Sequence, residues 1–123
     1  MHAFIIEDDY LIGQAIQEML SGVGFTCFSF ATSEAAAIAG AAGGEMLDLI
    51  TADARLLPGD GVKAVEVICA HRKIPVVFIT GYPEELRKRP NLKPSDAPIV
   101  RKPIQEEELV AAVRKVIARP DRS

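Results

Sequence analysis

Acidic, hydroxyl and basic side chains stand in this chain where apolar runs stop. Glu7-Asp8-Asp9 follows Ala3-Phe4-Ile5-Ile6, and Asp53 follows Leu49-Ile50-Thr51-Ala52. Thr80 ends Val76-Val77-Phe78-Ile79, and Arg101-Lys102-Pro103 follows Pro98-Ile99-Val100. Short apolar, β-favouring runs of this kind read as buried strands, so each would deliver its polar residue to a strand end. In an open parallel sheet the carboxyl ends of the strands are where ligands bind. Brought to one rim, Glu7, Asp8 and Asp53 would repel and raise one another's pKa unless a cation neutralised them. A hard divalent ion with oxygen ligands fits, and Mg2+ is the natural candidate. Such an ion would also bind oxygens of an incoming phosphoryl group. Asp53 would accept that group as an acyl phosphate, Lys102 would neutralise one of its oxygens, and Thr80 would donate a hydroxyl to it.

The elements that must position these groups lie between them. After the first strand, Ala3 to Ile6, the residues Leu11, Ile12, Ala15, Ile16, Met19 and Leu20 recur at helical spacing, with Gly22 and Gly24 as the stop. Phe25 to Phe30 reads as a second strand, nearer the sheet edge. Ser33 to Ala42 is an alanine-rich helix, capped by Thr32 or Ser33 and broken by Gly43 and Gly44. The third strand spans Leu47 to Ala52 and leads to Asp53. Beyond the loop from Ala54 to Gly61, Val62, Val65, Ile68 and Cys69 line a third helix ending near His71-Arg72-Lys73, whose basic charge suits the helix dipole. Val76 to Thr80 is a fourth strand.

Pro83, Pro90 and Pro94 leave room only for a short helix around Glu84 to Lys88, so Tyr82 to Ala97 is expected to be the most mobile region. Pro98 to Val100 is a brief fifth strand. Leu109, Val110, Val113, Val116 and Ile117 mark a final helix, and Glu106-Glu107-Glu108 suits its N-terminus. Residues 1–118 are expected to form one domain, with a short flexible tail at 119–123. Strict β-α alternation implies an α/β fold: a doubly wound, five-stranded parallel sheet with helices on both faces. Spacing does not prove the strand order, but 2-1-3-4-5 is one of two common solutions and sets strands one and three side by side.

Composition removes several function classes. A chain of 123 residues can bury one core, and 49% apolar with 25% charged residues is too apolar for disorder. A net charge of −3 with no basic run argues against nucleic acid as a partner. No apolar run reaches the roughly 18–20 residues that span a bilayer, and no signal peptide is evident, so neither a membrane nor export is expected. Cys27 and Cys69 lack metal-site or redox spacing and read as free, buried thiols of a cytoplasmic protein.

Taken together, I-I-E-D-D, L-D-L-I-T-A-D, F-I-T-G-Y and R-K-P, in this order and over essentially the whole chain, resemble the receiver domain of two-component response regulators. The resemblance implies the flavodoxin-like order 2-1-3-4-5. It implies Asp53 as phosphoacceptor, Asp8 as direct metal carboxylate, Glu7 as its partner acting through water, and the backbone carbonyl of Arg55 as a further metal ligand. Thr80 resembles the switch hydroxyl and Lys102 the phosphate-pairing lysine, which a cis bond before Pro103 would help to aim.

Two departures stand out. Leu57 occupies the position where receivers commonly have proline, with Pro58 after it. Ile99 replaces the switch aromatic of the fifth strand. F-I-T-G-Y is instead similar to the signature of stand-alone receivers common in alphaproteobacteria, in which Tyr82 would compensate, with Gly81 as hinge. The implied function is a single-domain response regulator: a phosphoryl group passes from a sensor histidine kinase or histidine phosphotransferase to Asp53 with Mg2+, and slow self-dephosphorylation resets it. Its output would be contact with a downstream protein, with a phosphorylation-dependent dimer left open. It would not be a conventional turnover enzyme.

Two other functions compete. An aspartate-nucleophile phosphatase wants a second aspartate two positions after the nucleophile, where Arg55 stands; Glu7-x-Asp9 begins with the wrong residue. A non-phosphorylated binding module of receiver shape would have lost the acceptor, a metal carboxylate or the lysine, and none is missing. Flavin binding lacks a phosphate-cradling loop after the first strand. Simpler roles remain for some residues: Asp9 as a helix cap, Tyr82 as packing, and the Arg55 side chain either in solvent or near water attacking the acyl phosphate.

Overall fold

Five parallel strands pair in the order β2-β1-β3-β4-β5 in the computed structural model, which describes residues 1–90, 92–94 and 96–118. The strands are β1 (His2–Ile6), β2 (Cys27–Ala31), β3 (Leu49–Asp53), β4 (Val76–Thr80) and β5 (Ile99–Arg101). The helices between and after them are α1 (Tyr10–Ser21), α2 (Glu34–Ala41), α3 (Gly61–Ile68), α4 (Pro83–Arg87) and α5 (Glu106–Ile117). The expected doubly wound order is therefore the observed one. Ile6 pairs with Ala52, Asp53 with Ile79, and Thr80 with Arg101, so all these carboxyl ends reach one rim.

Side-chain alternation divides the core between the two faces of the sheet. Phe4, Ile6, Ile50, Ala52 and Phe78 point toward α2 and α3, where Ala37, Ala41, Val62 and Val65 meet them. Ala3, Ile5, Leu49, Val77 and Ile79 point the other way, onto Ile16 and Leu20 of α1 and Leu109, Val113 and Val116 of α5. Every residue of β3 and β4 is buried, as strands covered on both faces must be. Full burial of each large apolar side chain contributes roughly 1.5–3 kcal/mol, so the strands carrying the rim groups are among the best anchored parts of the chain. Among the described residues, no helix is long and apolar enough to cross a membrane.

Several boundaries differ from the sequence reading, each for a physical reason. The second strand starts at Cys27 because Phe25, 1% exposed, plugs the core before it and donates its N–H to the Leu20 carbonyl. The third strand runs from Leu49 through Asp53, so the aspartate is held by the ladder itself. The third helix stops at Ile68, with Cys69 as its cap, and His71-Arg72-Lys73 lies past its last turn. Arg72 serves a different helix: its guanidinium donates to the carbonyls of Ala41 and Glu45, closing the end of α2. The fifth strand begins at Ile99. Cys27 is exposed on the edge strand, so of the two free thiols only Cys69 is partly buried.

The caps match their residue types. Asp9 accepts from the N–H groups of Leu11 and Ile12, Ser33 from Ala36, and Asp60 from Val62 and Lys63. Between Tyr82 and Ala97 the described residues hold one short helix, α4. The expected tail at 119–123 lies outside the described residues.

Candidate functional site

Glu7 directly follows β1, and its N–H is held by the Ala31 carbonyl of β2 at 2.9 Å. Asp53 is the last residue of β3. Adjacency of β1 and β3 thus brings the carboxylates together: an oxygen from each of Glu7, Asp8 and Asp53 lies within 4.8 Å of the others. Glu7 and Asp53 are 4% and 6% exposed, while Asp8 is half-buried. From two strands away, Lys102 enters the same space. Its Nζ lies 2.9 Å from Asp53 Oδ2 and 3.0 Å from Glu7 Oε1. Its backbone N–H is fixed by the Thr80 carbonyl at 2.9 Å, and the Lys102-Pro103 bond is cis.

The remaining donors come from the loops after β3 and β1. Arg55 N–H donates to Asp53 Oδ1 at 3.1 Å, and Leu57 N–H to Asp8 Oδ2 at 3.0 Å. Leu57, where the family commonly has proline, therefore supplies an amide that proline could not. Asp9 N–H donates to Glu7 Oε2 at 3.1 Å. Glu7 Oε1 faces Lys102 as an ion contact yet has no hydrogen bond of acceptable geometry. Burial, followed by the charge of Asp53, pushes the Glu7 carboxyl up to about 7, against the lowering pull of Lys102. Burial disfavours the Lys102 ammonium, but its pairing with Asp53 and Glu7 outweighs that and raises its pKa. Three carboxylates cluster here, two of them share one ammonium, and one buried carboxylate oxygen keeps an open acceptor position. That donor set fits a hard divalent cation.

Thr80, 2% exposed, ends β4 on the same rim, and its hydroxyl oxygen accepts the Tyr82 N–H at 3.0 Å. Tyr82 is 53% exposed, so it is not packing under a loop. The Arg55 guanidinium lies over its ring at 4.2 Å. At Gly81 an added Cβ would meet nothing within 4 Å, so space does not demand glycine in this conformation. Ile99 opens β5 beside Phe78 and packs, partly buried, against the α2–α3 side of the core.

Two glycines that the sequence places only in a loop, Gly59 and Gly61, matter to the site. A Cβ at Gly61 would lie 1.7 Å from the Asp53 carbonyl oxygen, so only glycine lets α3 start against the backbone of Asp53. Gly59 has φ of 113° and abuts Glu34. The sole hint in the sequence is their place within P-G-D-G, in the loop that follows β3. A hollow of about 210 Å³ between Cys69, Ile74, Pro94 and Val116 shares no residue with the acidic rim.

Residues 3–114 match the response regulator receiver domain family. The chain belongs to the response regulator receivers. The phyllosphere-induced regulator PhyR of Methylorubrum extorquens is 31% identical over 114 residues, which cover 92% of this chain and 42% of that protein. The receiver thus spans less than half the length of the curated relative it matches. The solution structure of the PhyR receiver domain of Erythrobacter litoralis superposes with a TM-score of 0.85 at 29% identity, covering 99% of this chain and 94% of that one. The receiver domain of the sensor histidine kinase PA1611 from Pseudomonas aeruginosa PAO1, solved with a magnesium ion coordinated in its active site cleft, has the same fold. Its TM-score is 0.80 at 22% identity, covering 96% of this chain and 98% of that one.

Proposed function

We propose that this receiver is a phosphorylation-driven signalling switch with Asp53 as the phosphoacceptor. The observation that carries this reading is the convergence of Glu7, Asp8, Asp53 and Lys102 at the end of a fully buried strand. The phosphodonor is a phosphohistidine on a sensor histidine kinase or a histidine phosphotransferase. An Asp53 carboxylate oxygen forms the new O–P bond while the donor's P–N bond breaks, and the electron pair stays with the imidazole, which regains a proton from solvent. Glu7, Asp8, Asp53 and the Arg55 carbonyl are the groups that would hold Mg2+. Bound there, the ion would offset charge on the transferring phosphoryl group.

Lys102 turns from the Asp53 carboxylate to a phosphoryl oxygen, exchanging one charge-assisted hydrogen bond for another. The Thr80 hydroxyl can donate its proton to another oxygen while its own oxygen accepts from Tyr82. Water later attacks phosphorus and resets the aspartate. Residues 1–118 act as one folded unit, and the two free thiols are in keeping with a reducing cytoplasm. The output is contact with a downstream protein through a surface that responds to Asp53.

The test is intact mass after incubation with acetyl phosphate, with and without Mg2+. Wild-type protein should gain one phosphoryl group only with the metal, and Asp53→Asn should gain none while its circular dichroism stays native. Uptake by the Asn variant would defeat the assignment.

A further inference from the structure

Little apolar surface holds α4 in place. Only Pro83 and Leu86 of its five residues are buried, and Lys88, Arg89 and Pro90 beyond it are exposed. Its charged side is tied instead to the loop that follows the acceptor. Arg55 Nη2 donates to both oxygens of Glu85, at 2.8 and 3.0 Å, while the same guanidinium covers the Tyr82 ring at 4.2 Å. At the other end of that loop, Arg89 Nη1 lies 3.0 Å from Asp60 Oδ2. Asp60 is itself fixed, capping α3 through Val62 and Lys63 and donating its N–H to Glu34 Oε1 at 2.9 Å. Arg55 and Asp60 also face each other across an isolated antiparallel bridge. One short stretch of backbone therefore grips both ends of the α4 segment.

We propose that Arg55 and Asp60 form a two-point clasp holding α4 against the acceptor loop, and that Arg55 is the point that yields when Asp53 gains a phosphoryl group. The second half rests on the phosphoacceptor reading above. Arg55 is a positioning residue here, acting on α4 through Glu85 and Tyr82. Its amide already donates to Asp53 Oδ1 at 3.1 Å, so its side chain springs from a residue in contact with the reacting carboxylate.

The Arg55–Glu85 pair is 61% and 62% exposed, so water and salt screen it. A phosphoryl group brings nearly two negative charges and oxygens spaced for a guanidinium fork, a stronger partner than a solvated carboxylate. Arg55 leaving for it deprives Glu85 of its cation and Tyr82 of its cover in one move. The Thr80 hydroxyl, turning toward the same group, slackens its hold on the Tyr82 amide. Asp60–Arg89 is the less exposed pair, 39% on the arginine and 31% on the aspartate, and serves as the pivot.

The test is amide hydrogen exchange of residues 84–88 in the full chain, first without phosphodonor. Arg55→Gln and Glu85→Gln should each speed exchange about three- to ten-fold, as loss of an exposed ion pair with its ring contact implies. Raising the salt concentration should do part of the same to wild type. Arg55→Glu combined with Glu85→Arg should restore protection, which a merely structural role for either side chain would not produce. Unchanged exchange in Arg55→Gln, or no restoration in the swapped pair, overturns the clasp.

The second arm repeats the measurement after acetyl phosphate and Mg2+, with intact mass taken on the same samples. Phosphorylated wild type should exchange like Arg55→Gln, and phosphorylated Arg55→Gln should gain no further speed. Acyl phosphate with α4 unmoved overturns the yielding of Arg55 and leaves the phosphoacceptor reading standing. Absence of acyl phosphate overturns that reading together with the yielding of Arg55, while the clasp is decided by the first arm.

Discussion

The acidic rim and the α4 segment are neighbours built on opposite principles. Glu7, Asp53 and Thr80 stand at the ends of strands that are nearly or wholly buried, and each is fixed by backbone ladder bonds as well as by its side-chain partners. In α4, two buried residues and exposed ion pairs carry most of the attachment, with Glu84 to Arg101 at 3.3 Å as another. Burial makes the rim's charges strongly interacting, since low polarity magnifies both repulsion and pairing. Exposure makes those of α4 weak and exchangeable. The charged groups of the rim sit on the core, and α4 sits on contacts that small free energies can rearrange.

The contrast breaks first if the rim's backbone is disturbed. Gly61→Ala puts a methyl group 1.7 Å from the Asp53 carbonyl oxygen, so the start of α3 or the end of β3 must move. The expected loss is about 3 kcal/mol or more in urea unfolding, and a near-native stability would show the loop to be softer than described. Next in size, Lys102→Ala leaves Glu7 and Asp53 facing each other in a buried site without their ammonium. Metal-free protein should lose roughly 2–4 kcal/mol, and saturating Mg2+ should recover part of it, as titration with the metal during unfolding would reveal.

A smaller change should go the other way. Thr51 is 1% exposed in the middle of β3, and its hydroxyl has no hydrogen-bond partner. Thr51→Val should raise stability by about 1 kcal/mol without altering phosphoryl uptake. Smallest of all, Glu85→Gln should shift global unfolding by less than about 0.5 kcal/mol although it loosens α4 locally. A global loss comparable with that of Lys102→Ala would erase the distinction between the two regions.

Much of the rim was readable because its residues follow strong local signals. Apolar runs four or five residues long marked β1, β3 and β4, and the polar residue that ended each run had to lie near a strand end. The boundaries of β2 and α3 were not readable in this way. Phe25 looks like strand by composition but serves as a core plug, and Arg72 looks like a dipole partner of its own helix but serves α2. Both roles depend on neighbours distant in sequence, which periodicity cannot report. Competing readings separate on the same ground: the aspartate-phosphatase alternative lacked its second acid in the sequence, and the residue in that place, Arg55, turns its side chain to Glu85 and Tyr82.

By itself the sequence determined the alternation of strands and helices, the residue types available for chemistry, and the strand end at which each would appear. Local propensity and burial patterns suffice for that, since they act over a few residues. Only the tertiary structure decided that Lys102 lies between Glu7 and Asp53, that Gly61 must lack a side chain, and that Arg55 and Asp60 grip α4. Those facts are distances between residues far apart in the chain, set by how the strands order and register in the sheet, and no stretch of sequence contains them.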